Sequence, residues 1–234
     1  MKGSNTNRLR EAFFHERKAY ISPDPRKRKK SRGHTRRRIQ FKRILVVTGT
    51  PGVGKTTVSA ILAVKLGGLH LDIATLVKSA HLTKGYDKKR QTLIADTDRL
   101  ARRVQQIMSK TSKSLIVDGH YSTDVVPAKQ VTRVFVLRCH PEELRNRMNA
   151  RGFQGSKVKE NLAAEILDVC LADAIANVGE DKVCEIDTTH QTADASASQI
   201  VSILRGRKRC VIRIVDWLGR LEGEGSLDQY LKDF

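Results

Sequence analysis

Nine residues, Gly49-Thr50-Pro51-Gly52-Val53-Gly54-Lys55-Thr56-Thr57, constrain this chain more than any other feature. The apolar run Ile44-Leu45-Val46-Val47 precedes them and an amphipathic stretch from Thr56 to Leu66 follows, so they form the turn between a short β-branched strand and a helix. Glycines at this spacing let successive backbone N–H groups turn inward at the positive end of the helix, where a side chain would block the approach. A polyphosphate fits such a turn. Lys55 is placed to reach the β- and γ-phosphates as a point charge, and the Thr56 hydroxyl to enter the octahedral oxygen shell of Mg²⁺. The strand-and-helix context argues against a fortuitous Gly-rich turn and predicts nucleoside triphosphate binding.

The rest of the chain agrees with a sheet behind that turn. Strands are predicted at Ile44 to Thr48, Leu69 to Ile73, Ser114 to Asp118, Val131 to Arg138 and Lys182 to Asp187. Helices are predicted at Thr92 to Met108, from Pro141 onward, at Lys157 to Ala176 as one long element, and at Thr192 to Leu204. Alternation of this kind implies an α/β fold, a parallel sheet covered on both faces by helices. Beyond it, Cys210 to Val215 reads as an extra strand and Asp216 to Leu231 as a helical tail carrying the single tryptophan, Trp217. The 234 residues suffice for one such domain with appendages, organised as a basic leader at 1–43, a phosphate-loop domain at 44–205 and a tail at 206–234.

Charge is unevenly distributed. Of the 44 Lys and Arg residues, 16 fall in positions 1–43 against 3 Asp and Glu, whereas the other 191 residues hold 28 against 22. The leader has too few apolar residues for a core and reads as disordered in isolation, apart from a weak helical pattern at Arg8 to Tyr20. Its charge suits RNA phosphates without base specificity, since few aromatics are interleaved to stack on bases. A solvated or nuclear-address tail, or a start codon assigned too far upstream, would look the same. No apolar run reaches the roughly 20 residues of a membrane span, and no secretory signal precedes the loop, so no membrane partner and a cytoplasmic location (nuclear in a eukaryotic source) are expected. Cys139, Cys170, Cys184 and Cys210 contain no C-x-x-C pair, which predicts reduced, mostly buried thiols rather than a disulfide or zinc scaffold.

Asp118 ends an apolar strand, so its carboxylate should emerge at the carboxyl edge of the sheet and face Thr56 across a Mg²⁺ site; a helix-capping role is the alternative. His120, two residues on, suits orientation of a water or phosphate acceptor, or is a satisfied lone histidine. Arg147 and Arg151 lie four apart on a predicted helix, hence on one face, and the Gly152, Gly155 and Lys157 that follow resemble a mobile lid. Arginines there supplement Lys55 in a transition state governed by positioning and charge neutralisation. A solvated basic face is the bland reading.

These segments together carry a resemblance. The loop at 49–57, Gly85-Tyr86-Asp87 leading to Asp96-Thr97-Asp98-Arg99-Leu100, Val117-Asp118-Gly119-His120, and Val136-Leu137-Arg138 running to Arg151-Gly152-Phe153 resemble the nuclear-type adenylate kinase and ATPase family of archaea and eukaryotes. The resemblance covers about residues 42 to 205, and Val215-Asp216-Trp217-Leu218 is similar to archaeal members. It implies a three-layer P-loop kinase fold with a mainly five-stranded parallel sheet, a short NMP-binding region at Asp72 to Ala95 and a small lid at Ala150 to Glu160. It further implies an ATP:AMP phosphotransferase, some ATPase activity and a role in small ribosomal subunit maturation, with a ribosomal protein and rRNA as partners. Residue by residue, Gly49, Gly52, Gly54, Lys55, Thr56, Thr57 and Arg151 would bind ATP, Thr56 and Asp118 would hold Mg²⁺, and Lys55, Asp118, His120 and Arg147 would act in catalysis on AMP or another monophosphate. Two departures stand out: Asp-Tyr-His-Gly of eukaryotic members is Asp118-Gly119-His120-Tyr121 here, and the family lacks the leader. The NMP region is also Lys-rich, at Lys84, Lys88, Lys89 and Arg90. An ATP-dependent assembly factor with secondary kinase activity is the alternative, a small-metabolite kinase a lesser one, and a GTP switch is disfavoured by the missing Asn/Thr-Lys-x-Asp motif.

Overall fold

Every residue of β1 (Ile44–Thr48) is buried, which a strand tolerates only when both faces of its sheet are covered. The computed structural model describes residues 42–87 and 92–231. Within it β1 is the middle strand of a five-stranded parallel sheet ordered β2 (Leu69–Asp72), β5 (Leu115–Asp118), β1, β6 (Arg133–Arg138), β7 (Val183–Asp187). Because side chains alternate along a strand, Leu45, Val47, Phe135, Leu137 and Ile186 enter one core while Ile44, Val46, Val117, Val134 and Val136 enter the other. The first core is closed by helices α1 (Lys55–Leu66), α5 (Pro141–Ala150), α6 (Ser156–Ile166) and α8 (Ala193–Leu204), and the second by α3 (Thr97–Lys110), the short α4 (Ser122–Val125) and α7 (Val169–Val178). The result is the expected three-layer α/β fold, with all five anticipated strands present.

Four local expectations need correction. The residues at Thr92–Ala95 are not the first turn of a helix; they form β4, paired antiparallel with β3 (Thr83–Asp87), after α2 (Ile73–Ser79). The helix begins later because the Asp96 carboxylate caps it, accepting from the Arg99 N–H at 3.0 Å. The long helix at 157–176 is two helices, α6 and α7, broken where Asp168 takes φ of 60°. The guanidinium of Arg138 explains the break, since it donates to the Glu165 carbonyl at 3.0 Å and to the Asp168 carboxylate.

The chain at 210–215 is no regular strand. It follows the outer edge of β7 through one backbone bond, Glu185 N–H to Val211 C=O at 2.9 Å, and then Arg213 turns it away with φ of 57°. Cys184 and Cys210 are joined there in a disulfide, whereas Cys139 and Cys170 are buried free thiols, pushed up to about 12 and about 11 by loss of hydration. Reduced thiols were the expectation for all four; 26 residues separate the bridged pair, and only the tertiary path of the tail along β7 brings them together. The tail is then two short helices, α9 (Trp217–Gly223) and α10 (Asp228–Leu231), whose Trp217, Leu218, Leu221 and Tyr230 are buried in the first core. The leader helix at Arg8 to Tyr20 and the basic residues Lys88, Lys89 and Arg90 lie outside the described residues. Among those described, no helix is long and apolar enough to cross a membrane.

One ionic cluster ties these layers together. Arg138, at the end of β6 and 2% exposed, donates to Glu165 through Nε at 2.8 Å, to Glu185 through Nη1, and to Asp168 through Nη2. Desolvation opposes its charge, but the carboxylates of Glu165, Asp168 and Glu185 more than offset that and hold the guanidinium above its ordinary pKa. Removing one member of a buried ion pair strands the others without compensation. Arg138→Met is therefore expected to destabilise the fold by about 3–5 kcal/mol, measured by urea unfolding; a loss below about 1 kcal/mol, the scale of a surface pair, would show the cluster to be expendable.

Candidate active site

The chain turns within residues 49–54 between β1 and α1. Gly49 and Gly52 take φ of 135° and 100°. A Cβ at Gly49 would lie 2.4 Å from the Leu137 carbonyl oxygen and one at Gly52 2.8 Å from Leu144, so space as well as conformation demands glycine at both. Gly54 forms the left-handed N-cap of α1 and brings no capping side chain, so nothing competes for the first-turn N–H groups that an anion would use.

Lys55 opens the helix and curls back over the loop, its Nζ donating to the Gly49 carbonyl at 2.7 Å and the Thr50 carbonyl at 3.0 Å. Burial lowers its pKa from the usual lysine value, opposed by the negative charges of Asp118 and Glu165. The next residue faces the end of β5: Thr56 Oγ1 donates to Asp118 Oδ2 at 2.8 Å. Asp118 is 1% exposed, and its other oxygen lies 2.7 Å from His70 Nε2. That hydrogen bond comes first among the causes that raise the His70 pKa, working against burial and aided by the charges of Asp118 and Asp72. Two hard oxygen donors side by side at the foot of a glycine cradle fit a Mg²⁺ that keeps several waters.

His120 follows β5 at an exposed position and stacks edge-on against Tyr121, with centroids 5.1 Å apart. Partial desolvation, then the charge of Lys55, holds its pKa below the usual imidazole value. Arg147 lies in α5 and Arg151 just past its end. Arg147 donates to the Thr188 carbonyl at 2.7 Å and hydroxyl at 3.2 Å, and also pairs with Glu143. Both arginines line a cavity of about 300 Å³ together with Gly52, Val53, Gly54, Thr57, Thr188, Gln191 and Ser196. The cavity therefore joins the phosphate loop to the chain between β7 and α8, at the carboxyl edge where open α/β sheets receive ligands.

The structure thus gathers Lys55, Thr56, Asp118, Arg147 and Arg151 around one loop and sets His120 on the same edge. Sequence reasoning missed His70, Thr188 and Gln191. His70 sits one strand away from its partner and 48 residues from it in sequence; its alternation with Leu69 and Leu71 on β2 was the available signal. Thr188 and Gln191 follow Asp187 at a strand end, the same rule that singled out Asp118.

Comparison with known proteins now decides the family. A family model described as "AAA domain" matches residues 45–168. A protein of Methanocaldococcus jannaschii named "Putative adenylate kinase" is 37% identical over 173 residues, covering 74% of this chain and 92% of that one. Another of the same name from Methanothermobacter thermautotrophicus is 37% identical over 181 residues, covering 77% of this chain and all of that one. The chain belongs to this family of P-loop nucleoside monophosphate kinases. Its fold also matches a shikimate kinase from Acinetobacter baumannii in complex with shikimate, with TM-score 0.52 and 17% identity over 72% of this chain and 96% of the other. The family members are kinase-type phosphotransferases, and this chain is an enzyme of that kind.

The His70 contact has a pH signature. A folded-state pKa raised above the unfolded value contributes stability that is full below the unfolded pKa and is lost as pH rises through the folded one. His70→Asn is therefore expected to destabilise the metal-free protein more at pH 5.5 than at pH 8.5. Urea unfolding of both proteins at the two pH values checks it, and an equal or opposite difference would contradict the contact.

Proposed function

We propose that this kinase transfers the γ-phosphoryl group of ATP to AMP, yielding two molecules of ADP. The observation that carries this reading is the convergence of Lys55, the Thr56–Asp118 pair, Arg147 and Arg151 on one phosphate loop. An oxygen of the acceptor monophosphate forms the new bond to the γ-phosphorus as the bond to the β,γ-bridging oxygen breaks. Catalysis of such a transfer is mostly positioning and charge stabilisation. Gly49, Gly52, Gly54 and Thr57 would present the backbone and hydroxyl donors of the loop, and Lys55 would exchange its two carbonyl partners for phosphate oxygens.

Mg²⁺, when bound, would neutralise charge across the β- and γ-phosphates, and Thr56 and Asp118 are the residues to hold it. Arg147 is held by Thr188 and Glu143, whereas Arg151 falls within the expected lid at Ala150 to Glu160 and would close over the transferring group. His120, whose pKa is held below the usual imidazole value, would orient the acceptor. The acceptor itself would lie towards the insertion formed by α2, β3 and β4, the expected NMP-binding region. A second reading rests on the leader: 16 Lys and Arg in 43 residues favour RNA as a partner, and with it a role for nucleotide hydrolysis in small ribosomal subunit maturation.

The deciding experiment is ADP formation from Mg·ATP with AMP, other monophosphates or no acceptor, run on the unmodified chain and on Lys55→Ala. AMP-dependent ADP formation, reduced at least ~10²-fold by the substitution, is expected. Lys55-dependent phosphate release indifferent to every monophosphate would instead favour the assembly-factor reading.

A further inference from the structure

The Glu165 carboxylate lies beneath the phosphate loop, 1% exposed, and does more than balance Arg138. Its Oε2 accepts a hydrogen bond of 2.5 Å from the hydroxyl of Thr50, the second residue of the loop, itself 1% exposed. Its Oε1 accepts from Arg138 Nε at 2.8 Å, from the Cys139 N–H at 3.1 Å and from the indole Nε1–H of Trp217 at 3.3 Å. Thr50 is also where Lys55 rests, through its carbonyl at 3.0 Å. A single buried carboxylate therefore connects the tryptophan of the tail to the residue on which the phosphate-binding lysine is parked.

The tail end of that connection is itself pinned. The Cys184–Cys210 bridge, the Glu185–Val211 backbone bond and a 3.0 Å bond from the Ile214 N–H to the Glu185 carboxylate lay residues 210–214 along β7. The indole ring then packs edge-on against His140 at 5.1 Å, at the start of α5. We propose that Glu165 is a positioning residue for the phosphate loop, and that Trp217 sets the orientation of its carboxylate, so the C-terminal segment is a working part of the nucleotide site. The inference rests on residues 49–57 being that site. Its physical basis is that a buried hydroxyl–carboxylate bond in a water-poor surrounding holds one loop conformation over others. Without it the Thr50 peptide is free to tilt, and the loop must be ordered when ATP binds, weakening affinity.

Because Trp217 is the one tryptophan of the whole chain, its fluorescence reports on this connection alone. The test titrates the full chain with Mg·ATP, followed by calorimetry for the unmodified protein, Thr50→Val, Thr50→Ser and Trp217→Phe, and in parallel by tryptophan emission for the first three. Thr50→Val keeps the shape and removes the hydroxyl; it is expected to raise the ATP dissociation constant about tenfold, whereas Thr50→Ser, which keeps the hydroxyl, stays near the unmodified value. Trp217→Phe weakens ATP binding in the same direction and tests the connection from its other end, even where Thr50→Val fails to fold. Emission from Trp217 changes as ATP saturates the unmodified chain, and Thr50→Val loses that response. Unchanged affinity in both Thr50→Val and Trp217→Phe, equal loss in the valine and serine variants, or silent emission while calorimetry records binding would each overturn the inference. Absence of ATP binding to the unmodified chain would overturn the nucleotide-site reading itself, and this inference with it.

Discussion

The fold turns on one guanidinium. Arg138 ends β6, the strand beside the phosphate loop, and its donors reach the last turn of α6, the break before α7 and the interior of β7. Burying such a group is unfavourable unless every donor is used and the charge is matched. The chain meets that demand by ending α6 early, placing Asp168 in a left-handed conformation and burying Glu185 between the apolar Cys184 and Ile186 of β7. The ionic cluster thus sits at the break between the two helices, bonded to both of its sides.

The same economy governs the nucleotide site. Two carboxylates, Asp118 and Glu165, lie beside the glycine loop, and each accepts a hydrogen bond from a threonine hydroxyl: Asp118 from Thr56 and Glu165 from Thr50. Their negative charge opposes the desolvation that lowers the Lys55 pKa. On the proposed reading, polyphosphate binding would replace the carbonyl contacts of Lys55 with stronger charge-assisted ones. His70 plays the corresponding part on the far side of Asp118, fixing the orientation of a carboxylate that would otherwise rotate.

What could be read from the sequence followed how local the determining interaction was. The strand, loop and helix at 44–66 were legible because their signals, a β-branched run, glycines at fixed spacing and an apolar helical face, lie within about two dozen consecutive residues. Asp118 was legible because strand-end position is itself local. The start of α3 was misread because apolar residues at 93–95 fit either period, and only the capping geometry of Asp96 separates them. The break at Asp168, the His70–Asp118 contact and the Cys184–Cys210 bridge were not legible, for each is decided by a partner 26 to 48 residues away in sequence. Beyond the weak helical pattern at Arg8 to Tyr20, the leader offered only a charge pattern, which is why its sequence yielded a class of partner and little else.

The position of the cavity follows from sheet order. After β1 the chain builds β2 and β5 on one side and then crosses to build β6 and β7 on the other, so the loops after β1 and β5 diverge from those after β6 and β7 and leave a crevice at the carboxyl edge. Residues from both halves, the phosphate loop from one and Arg147, Thr188 and Gln191 from the other, border that crevice. The Thr188 hydroxyl lies between them, with two carbonyl acceptors in reach of its single proton, Arg138 at 2.8 Å and Val53 at 3.2 Å. The two halves are thus hydrogen-bonded to each other at the base of the crevice, while Tyr86, Leu93 and Ile94 of β3 and β4 lie exposed.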